Sequence, residues 1–391
     1  MTKHNRKNPT PDLANIVPIL MGAWRRLLKL GGPADMLQTR EFRDVVASVK
    51  ILQERSDKGQ SLIGQDYFKN PQLLGAYLLY DWVLNYQQGL SLIGELPEAP
   101  KRVLDLCSGA APLAFAALRH GANEVIASDQ NGAALQLGAE ICGRYGLPLS
   151  VRQWNCLKSP IPFEGKFDLI LLGHCLEDLF PSSHKGWMEA QKVFLKQLFT
   201  YLTPDGHLLI VDSSLNEANR RILLLRDSMV QDGITVQAPC VWRGECPALK
   251  ANSQCYAQRE LEKPRLIKDI QRAASINLNS LKMSYIIFRN PVSGWPDVGN
   301  HPLYRVISPP IDTFSGKRFY LCGTDGKKQL GSHLTSYPVE SRAFDYLKRG
   351  ELISIDGALE KQNALDIVQG TTVRVVAACG KPIPNAPQEE H

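Results

Sequence analysis

Hydrophobic positions change their period twice along this 391-residue chain. Over residues 16–30, 41–52 and 73–86 they recur every three or four positions, which predicts amphipathic helices. The last of these carries Tyr77, Tyr80, Trp82 and Tyr86, a stripe that reads as helix packing. Leu96-Pro97-Glu98-Ala99-Pro100 interrupts the pattern and predicts a boundary. From Arg102 to about Pro239, short apolar runs alternate with helical ones. Strands are predicted at 102–106, 124–128, 150–154, 167–173 and 207–212. Helices are predicted at 112–120, 131–145 and 187–202, the last stopped by Thr203-Pro204-Asp205-Gly206. Such alternation predicts a parallel sheet covered on both faces. A further apolar strand is read at 284–288. Beyond Asn290-Pro291, short strand-like pieces at 304–307, 318–322, 351–355 and 372–377, broken by Gly and Pro, predict a small β-barrel. The expected architecture is α/β. A helical region (1–100) precedes a Rossmann-like sheet (101–290) with an insertion at 238–260. An OB-like barrel (300–380) and a disordered tail (381–391) follow.

Composition narrows the classes. A hydrophobic content of 44% with 21% charged residues describes a globular chain. No apolar run approaches the roughly 18 residues of a membrane helix, so no membrane partner is expected. The net charge of +6 is unevenly spread. Lys and Arg outnumber Asp and Glu by eleven to six over residues 1–60, and by twelve to six over 258–328. Both flanks therefore point to RNA or another polyanion, and no DNA partner is expected. Nine cysteines, several inside apolar runs, argue for a reducing compartment rather than a disulfide framework. The start shows neither a secretory core nor an Arg/Ser-rich presequence. That favours a bacterial-type cytoplasm, with the mitochondrial matrix as the eukaryotic counterpart. A monomer is expected.

The first strand ends at Asp105 and runs into the small-residue loop Cys107-Ser108-Gly109-Ala110-Ala111-Pro112. Asp129 ends the second strand, 24 residues after Asp105. Small residues let the backbone approach a ligand, and an acid at the second strand end can accept both ribose hydroxyls. NAD and S-adenosylmethionine (SAM) share this geometry. The strict G-x-G-x-x-G is missing, and SAM has no pyrophosphate to cradle, so SAM is favoured. The stretch resembles class I SAM-dependent methyltransferases, whose pattern is an acidic strand end followed by Gly-x-Gly-x-Gly. Gly109 keeps the central glycine, while Cys107 and Ala111 replace the outer two. The resemblance implies that Asn155, after the third strand, holds the adenine amino group. After the fourth strand come Gly173-His174-Cys175-Leu176-Glu177-Asp178, without the Asn/Asp-Pro-Pro-Tyr run of exocyclic-amine methylases. Methyl transfer needs an aligned nucleophile more than a strong base. His174 and Glu177 are read as base or substrate contacts, or as packing and capping residues. Cys142, Cys156 and Cys175 read as small core residues.

Cys240, Cys246 and Cys255 follow with five and eight residues between them, in segments containing Pro, Gly and Asn. Thiolates in such a loop select zinc or an iron–sulfur cluster. Closure needs a fourth ligand, Cys322 or Cys379. Cys322 is the better placed, ahead of the turn Gly323-Thr324-Asp325-Gly326.

Taken together, the chain resembles the small-ribosomal-subunit-associated methyltransferase-like family, which includes the mitochondrial ribosome assembly factor. The resemblance runs from about Leu73 to about Lys328. It rests on Val103-Leu104-Asp105-Leu106, Phe167-Asp168-Leu169-Ile170 and Gly206-His207-Leu208-Leu209-Ile210-Val211-Asp212. Its most specific part is Ala238-Pro239-Cys240 through Cys246-Pro247 to Cys255-Tyr256 and Gln258-Arg259. It implies a [4Fe–4S] cluster on Cys240, Cys246, Cys255 and Cys322, fastening the barrel to the Rossmann-like domain. It also implies binding to the small ribosomal subunit and its RNA, with Arg259, Lys263, Arg265, Lys268 and Arg272 on phosphates. The chain departs from the family at Val241-Trp242-Arg243, where a His is usual, and at Asp212-Ser213-Ser214, where Glu-Pro-Gly is common. The expected function is a SAM-dependent methyltransferase-like protein acting on ribosomal RNA. The alternatives are a non-catalytic RNA-binding assembly factor and a methyltransferase of another substrate.

Overall fold

The computed structural model describes residues 8–57, 70–299, 301–314 and 316–383. The tail expected from 381 lies outside the described residues from 384 onward. The chain divides into two compact units, one of residues 1–94, 99–208 and 260–281, the other of 95–98, 209–259 and 282–391.

In the first unit the three- and four-residue periods become helices Leu13–Leu28 and Thr39–Asp57. Arg25 and Glu41 join them through a buried pair, Nε to Oε1 at 2.8 Å and Nη2 to Oε2 at 2.6 Å. A third helical run starts at Asn70, whose side chain accepts from the Gln72 and Leu73 N–H groups. It comprises an α-helix Pro71–Ala76, a π-helical turn Tyr77–Asp81 and an α-helix Trp82–Ile93. Trp82 N–H bonds back to the Tyr77 carbonyl, five residues earlier. Of the aromatic stripe, Tyr80, Trp82 and Tyr86 are buried, with Trp82 and Tyr86 packed against Phe115, while Tyr77 is partly exposed.

Strands β1 (Arg102–Leu106), β2 (Glu124–Asp129), β3 (Ser150–Gln153) and β4 (Phe167–Gly173) form a parallel ladder. The crossover helices Pro112–Arg119 and Gly132–Arg144 follow β1 and β2, and Asn131 caps the second through the Ala133 and Ala134 N–H groups. Helix Trp187–Phe199 precedes β5 (Leu202–Ser213). The expected stop at 203–206 is therefore inside a strand, which begins five residues before His207. A Cβ on Gly206 would meet the Phe167 carbonyl at 2.9 Å, so glycine allows β5 its close approach to β4.

With β6 (Val236–Ala238), β7 (Ala257–Glu260) and β8 (Ser280–Arg289), the strand order is β3-β2-β1-β4-β5-β8-β6, and β7 pairs with β8. The β6–β8 pair is antiparallel, so the sheet is mixed rather than purely parallel. A Rossmann-like order reverses between β1 and β4, where the ligand crevice of such sheets lies, outside the carboxyl ends of the strands.

The C-terminal part carries a second sheet. Its strands are β9 (Leu303–Val306), β10 (Ile311–Thr313), β11 (Gly316–Gly323), β12 (Gly326–Gly331), β13 (Leu352–Asp356), β14 (Leu359–Lys361), β15 (Ala364–Asp366) and β16 (Thr372–Ala377). They run β14-β15-β12-β11-β9-β13-β16, with β10 on β11, in a barrel-like arrangement. One core of Tyr304, Phe319, Leu321, Leu330, Phe344, Ile353 and Ile367 fills it. Side chains alternate along a strand, so Cys322 lies on the face opposite Phe319 and Leu321. Among the described residues no helix is long and apolar enough to cross a membrane.

Candidate cofactor site and thiol cluster

At the carboxyl end of β1 the backbone turns through three left-handed residues, Cys107 (φ 55°), Gly109 (φ 54°) and Ala111 (φ 62°). Glycine suits position 109 on two counts. Its φ disfavours other residues, and an added Cβ would stand 3.2 Å from the Tyr77 hydroxyl. Asp129 organises this loop from β2. Its Oδ2 accepts from Gly109 N at 3.0 Å and its Oδ1 from Asn131 N at 2.8 Å. Each oxygen keeps lone-pair capacity for a further donor such as a ribose hydroxyl. Burial raises the Asp129 pKa, and the surrounding backbone N–H groups oppose that rise.

Asp105 is 1% exposed. Its Oδ2 accepts from Ala114 N at 3.0 Å, in the first turn of the next helix. Its Oδ1 is buried without a partner among the described residues. Burial pushes the Asp105 carboxyl up to about 8, with the Asp129 charge adding to the effect.

The other predicted side chains stand as follows. Asn155 Nδ2 donates to Gln130 Oε1 at 2.9 Å, and its Oδ1 accepts from Leu157 N at 3.1 Å, so it closes a local turn beside Asp129. His174, at φ 55°, places Nε2 2.9 Å from Oε1 of the buried Gln88. Glu177 Oε1 accepts from both the N–H and the hydroxyl of Ser182, each at 2.9 Å, which is a capping geometry. Cys142 is a buried core residue. The Cys107 thiol is hydrogen bonded with Cys156 and Cys175, so these two adjoin the cofactor loop as well as filling space. Sequence reasoning also missed two aromatic contacts. Trp82 Nε1 donates to the Ala110 carbonyl at 2.9 Å, and the Tyr77 hydroxyl is hydrogen bonded to the Ala110 backbone.

All four predicted thiol ligands fall in the second unit. One helix, Asn216–Gln231, holds the loops that carry three of them. Asn219 Nδ2 donates to the Cys255 carbonyl at 2.7 Å, while Cys255 N–H returns to Asn219 Oδ1 at 3.2 Å. Asp227 accepts the Cys246 N–H at 2.9 and 3.0 Å. Arg226 donates to the carbonyls of Trp242 and Gly244. Arg305 stands opposite Cys322 in the β9–β11 ladder and donates to the Pro239 carbonyl at 3.0 Å, one residue before Cys240.

The thiols sense one another. Burial and then the Cys240 charge raise the pKa of Cys246. Burial, then Cys240 and Cys246, push Cys255 up to about 12. Burial, then Cys240, Cys255 and Cys246, raise Cys322. Cys379 lies elsewhere, its thiol 3.3 Å from the Arg349 carbonyl and facing Arg259 and Glu95. Among the described residues no group of three or more His, Cys, Asp or Glu side chains is arranged to hold a metal ion.

Arg259 is not a phosphate contact. It is 5% exposed, pairs with Glu95, and reaches Tyr285 Oη at 3.2 Å, while Tyr285 Oη donates to Glu95 Oε2 at 2.6 Å. A buried guanidinium with these partners has no fork left for RNA. By contrast, the side chains of Arg265 and Arg272, on helix Arg265–Ala274, are 96% and 82% exposed. Lys268 is exposed between them. Lys263 donates to Asn279 Oδ1 at 3.0 Å.

Comparison with solved structures gives weak overlaps with methyltransferases. The N-methyltransferase NodS from Bradyrhizobium japonicum, in complex with S-adenosyl-L-homocysteine, is 16% identical. That match covers 53% of this chain and 86% of that one, at a TM-score of 0.34. The ribosomal protein L11 methylase from Lactobacillus delbrueckii is 15% identical, over 53% and 77% of the two chains, at 0.32. NSun6 from Pyrococcus horikoshii is 16% identical, over 54% and 52%, at 0.35. No curated protein sequence matches the chain. A family profile described as "Mitochondrial small ribosomal subunit Rsm22" matches residues 92–336. That span exceeds half of the chain and takes in the loop after β1 as well as all four thiols, and on it the chain belongs to the Rsm22 family.

Proposed function

We propose that this protein binds SAM at the β1–β4 crevice and acts in assembly of the small ribosomal subunit, as a methyltransferase-like factor on its RNA. The supporting observation is the Asp129 carboxylate, which accepts Gly109 and Asn131 N–H groups and so holds the loop open at the switch point. Asp129 would take the ribose hydroxyls, and the small residues Cys107, Gly109 and Ala111 would line the methionine end. Asn155 would meet adenine from its turn. SAM, when bound, supplies an electrophilic methyl group. His174 and Glu177 orient neighbouring backbone and side chains and are committed to Gln88 and Ser182. That commitment favours the second reading, an assembly factor that binds SAM and RNA without transferring the methyl group.

Cys240, Cys246, Cys255 and Cys322 would hold a [4Fe–4S] cluster, with zinc as the alternative. What supports the reading is the chemistry of the donor set: Cys246, Cys255 and Cys322 are each shifted by neighbouring thiols of the same set, and thiolates select these metals. The cluster's contribution would be structural. The exposed Arg265, Lys268 and Arg272 would lie along RNA phosphates. The family description names the mitochondrial small ribosomal subunit, so the subunit is the partner proposed here, in the mitochondrial matrix or a bacterial cytoplasm.

The test is threefold. Titration with SAM, salt-dependent binding to small-subunit RNA, and transfer of labelled methyl groups to immature subunits should all be measured on protein purified without oxygen. Binding of both ligands with transfer supports the enzyme, and binding without transfer supports the assembly factor. Loss of salt-dependent RNA binding would overturn both. Iron and sulfide assays on the same preparation separate a cluster from zinc.

A further inference from the structure

On strand β11, Arg318, Tyr320 and Cys322 stand on the face opposite the core residues Phe319 and Leu321. Directly paired residues of neighbouring strands point to the same face. Gln329 and Lys327 of β12, opposite Tyr320 and Cys322, therefore join them, as does Arg305 of β9, also opposite Cys322. The contacts agree with this register. Arg318 Nη1 donates to Gln329 Oε1 at 2.8 Å, and Lys327 Nζ lies 5.1 Å from the centre of the Tyr320 ring. Arg305 Nη1 donates to the Gly350 carbonyl at 2.9 Å, which tethers the segment carrying Arg349 to this face. The Arg349 guanidinium carbon lies 3.7 Å from the centre of the Tyr256 ring, and Lys282 Nζ lies 5.9 Å from the same centre. All these residues belong to the second compact unit.

Lys282, Arg318, Lys327 and Arg349 thus share one surface. Among the described residues none of the four forms an ion pair, and Arg349 Nε is buried without a hydrogen-bond partner. Other cations of the chain are compensated. Lys328, opposite the core residue Leu321, pairs with Asp325 and Glu360, while Arg265 and Arg272 lie 3.7 and 3.8 Å from Asp269. Cations gathered without carboxylates leave an unopposed positive field, which suits a polyanion. Held against aromatic rings, they have less side-chain freedom to lose on binding. The rings narrow the choice of polyanion. Tyr256 and Tyr320 are partly exposed, and such aromatics stack on unpaired bases, which a duplex keeps inside.

We infer that the outer face of β11 and β12, continued by Tyr256, Lys282 and Arg349, binds single-stranded RNA, with the four cations on phosphates and a base against Tyr320. The inference rests on the RNA reading above and adds an RNA surface on the unit that does not carry helix Arg265–Ala274.

Salt titrations of the full chain, purified without oxygen, against a single-stranded and a duplex RNA oligonucleotide of small-subunit sequence make the test. Arg318→Gln and Lys327→Gln should each lower the salt slope for the single strand by about 0.7. Tyr320→Leu should leave that slope unchanged and weaken single-strand binding roughly fivefold or more, with duplex binding as in the wild type. Tyr320→Phe should keep the wild-type affinity. Variants that fold by circular dichroism and bind with wild-type affinity and slope overturn the inference and leave RNA binding to helix Arg265–Ala274. An equal loss for single strand and duplex in Tyr320→Leu overturns the single-strand assignment. A fall in bound iron with unchanged RNA affinity in Lys327→Gln assigns that cation to the thiols and also overturns the inference. A wild type that binds neither RNA removes the RNA reading itself, and the inference with it.

Discussion

Asn219→Ala tests whether the Asn216–Gln231 helix, rather than a metal alone, shapes the thiol-bearing loops. Asn219 is 1% exposed. It donates to the Cys255 carbonyl at 2.7 Å and to Ser284 Oγ at 2.8 Å, and it accepts from Cys255 N–H at 3.2 Å. Alanine removes all three bonds and leaves the Cys255 carbonyl, the Cys255 N–H and the buried Ser284 hydroxyl without that partner. A buried group left unsatisfied costs about 1–3 kcal/mol. The Cys255 loop is partly exposed and can admit water, whereas Ser284 at 1% exposure cannot. The expected destabilisation is therefore about 3 kcal/mol, a large part of the 5–15 kcal/mol typical of a domain. Urea denaturation followed by far-ultraviolet circular dichroism reads the loss. If the thiols hold the proposed cluster, iron retained per folded chain reads the loop, and it should fall as well. An unfolding free energy within about 0.5 kcal/mol of the wild type would refute the reasoning, because it would mean that the clamp is redundant.

The remaining predictions concern other parts of the chain. Arg259→Met leaves Glu95 buried and uncompensated and should cost about 3–5 kcal/mol in chemical denaturation, with Glu95→Leu in the same chain recovering much of it; a neutral single variant would contradict the buried pair. Lys268→Ala should leave stability unchanged while lowering the salt slope of RNA binding by about one, and an unaltered slope would remove that helix from the RNA face. Gly323→Ala drives a Cβ to 2.3 Å from the Tyr304 ring and 2.8 Å from the Leu303 carbonyl; a loss of about 1–3 kcal/mol or more is expected, and a wild-type melting curve would count against that packing. Asp105 titrates at an ordinary 3.8 unfolded and about 8 folded, so its protonated form favours the fold. Ligand-free stability should then fall as pH rises from about 4 through about 8, and Asp105→Asn should flatten that slope; identical pH profiles for the two proteins would exclude Asp105 as its source.

The β1–β4 ladder was legible because its strands are apolar over several residues and their turn signals are strong. β5 was shortened in the reading because Pro204 and Gly206 resemble a turn, while Gly206 in fact serves close packing. The Asn216–Gln231 helix escaped because its buried face includes Asn219, Arg221 and Arg226, which dilute the apolar period. β10 and β14 are three-residue exposed strands with no alternation to detect. The π-helical turn leaves the apolar spacing of a helix almost intact, so only the contacts of Tyr77 and Trp82 reveal it. Arg259 looked like an RNA contact because charge in a sequence carries no burial. Its partners, Glu95 and Tyr285, lie 164 and 26 residues away. Asp105, Gly109 and Asp129 could be singled out because an acid at a strand end followed by small residues is chemically restrictive, and the structure brings Gly109 and Asp129 into contact.

The position of the thiols constrains what a cluster can do. The reading from sequence had it fastening the barrel to the Rossmann-like domain. Cys240, Cys246, Cys255 and Cys322 all fall within one compact unit, so any fastening is internal to that unit. Protein contacts already restrain each segment independently of metal: Asn219 at Cys255, Asp227 at Cys246, Arg226 at Trp242 and Gly244, and Arg305 at Pro239. Burial and the neighbouring thiols raise the pKa of three of the four cysteines, so without a cation they favour the neutral thiol. Binding a cation as thiolates would release those protons and tie metal binding to the fold of these loops. If the proposed cluster is present, its loss should loosen the 240–255 loops and the β11–β12 hairpin while the β1–β4 ladder persists. Amide hydrogen exchange on chelated protein distinguishes this from global unfolding. Protection lost equally in β1 and in β11 would show that the cluster holds up the whole chain instead.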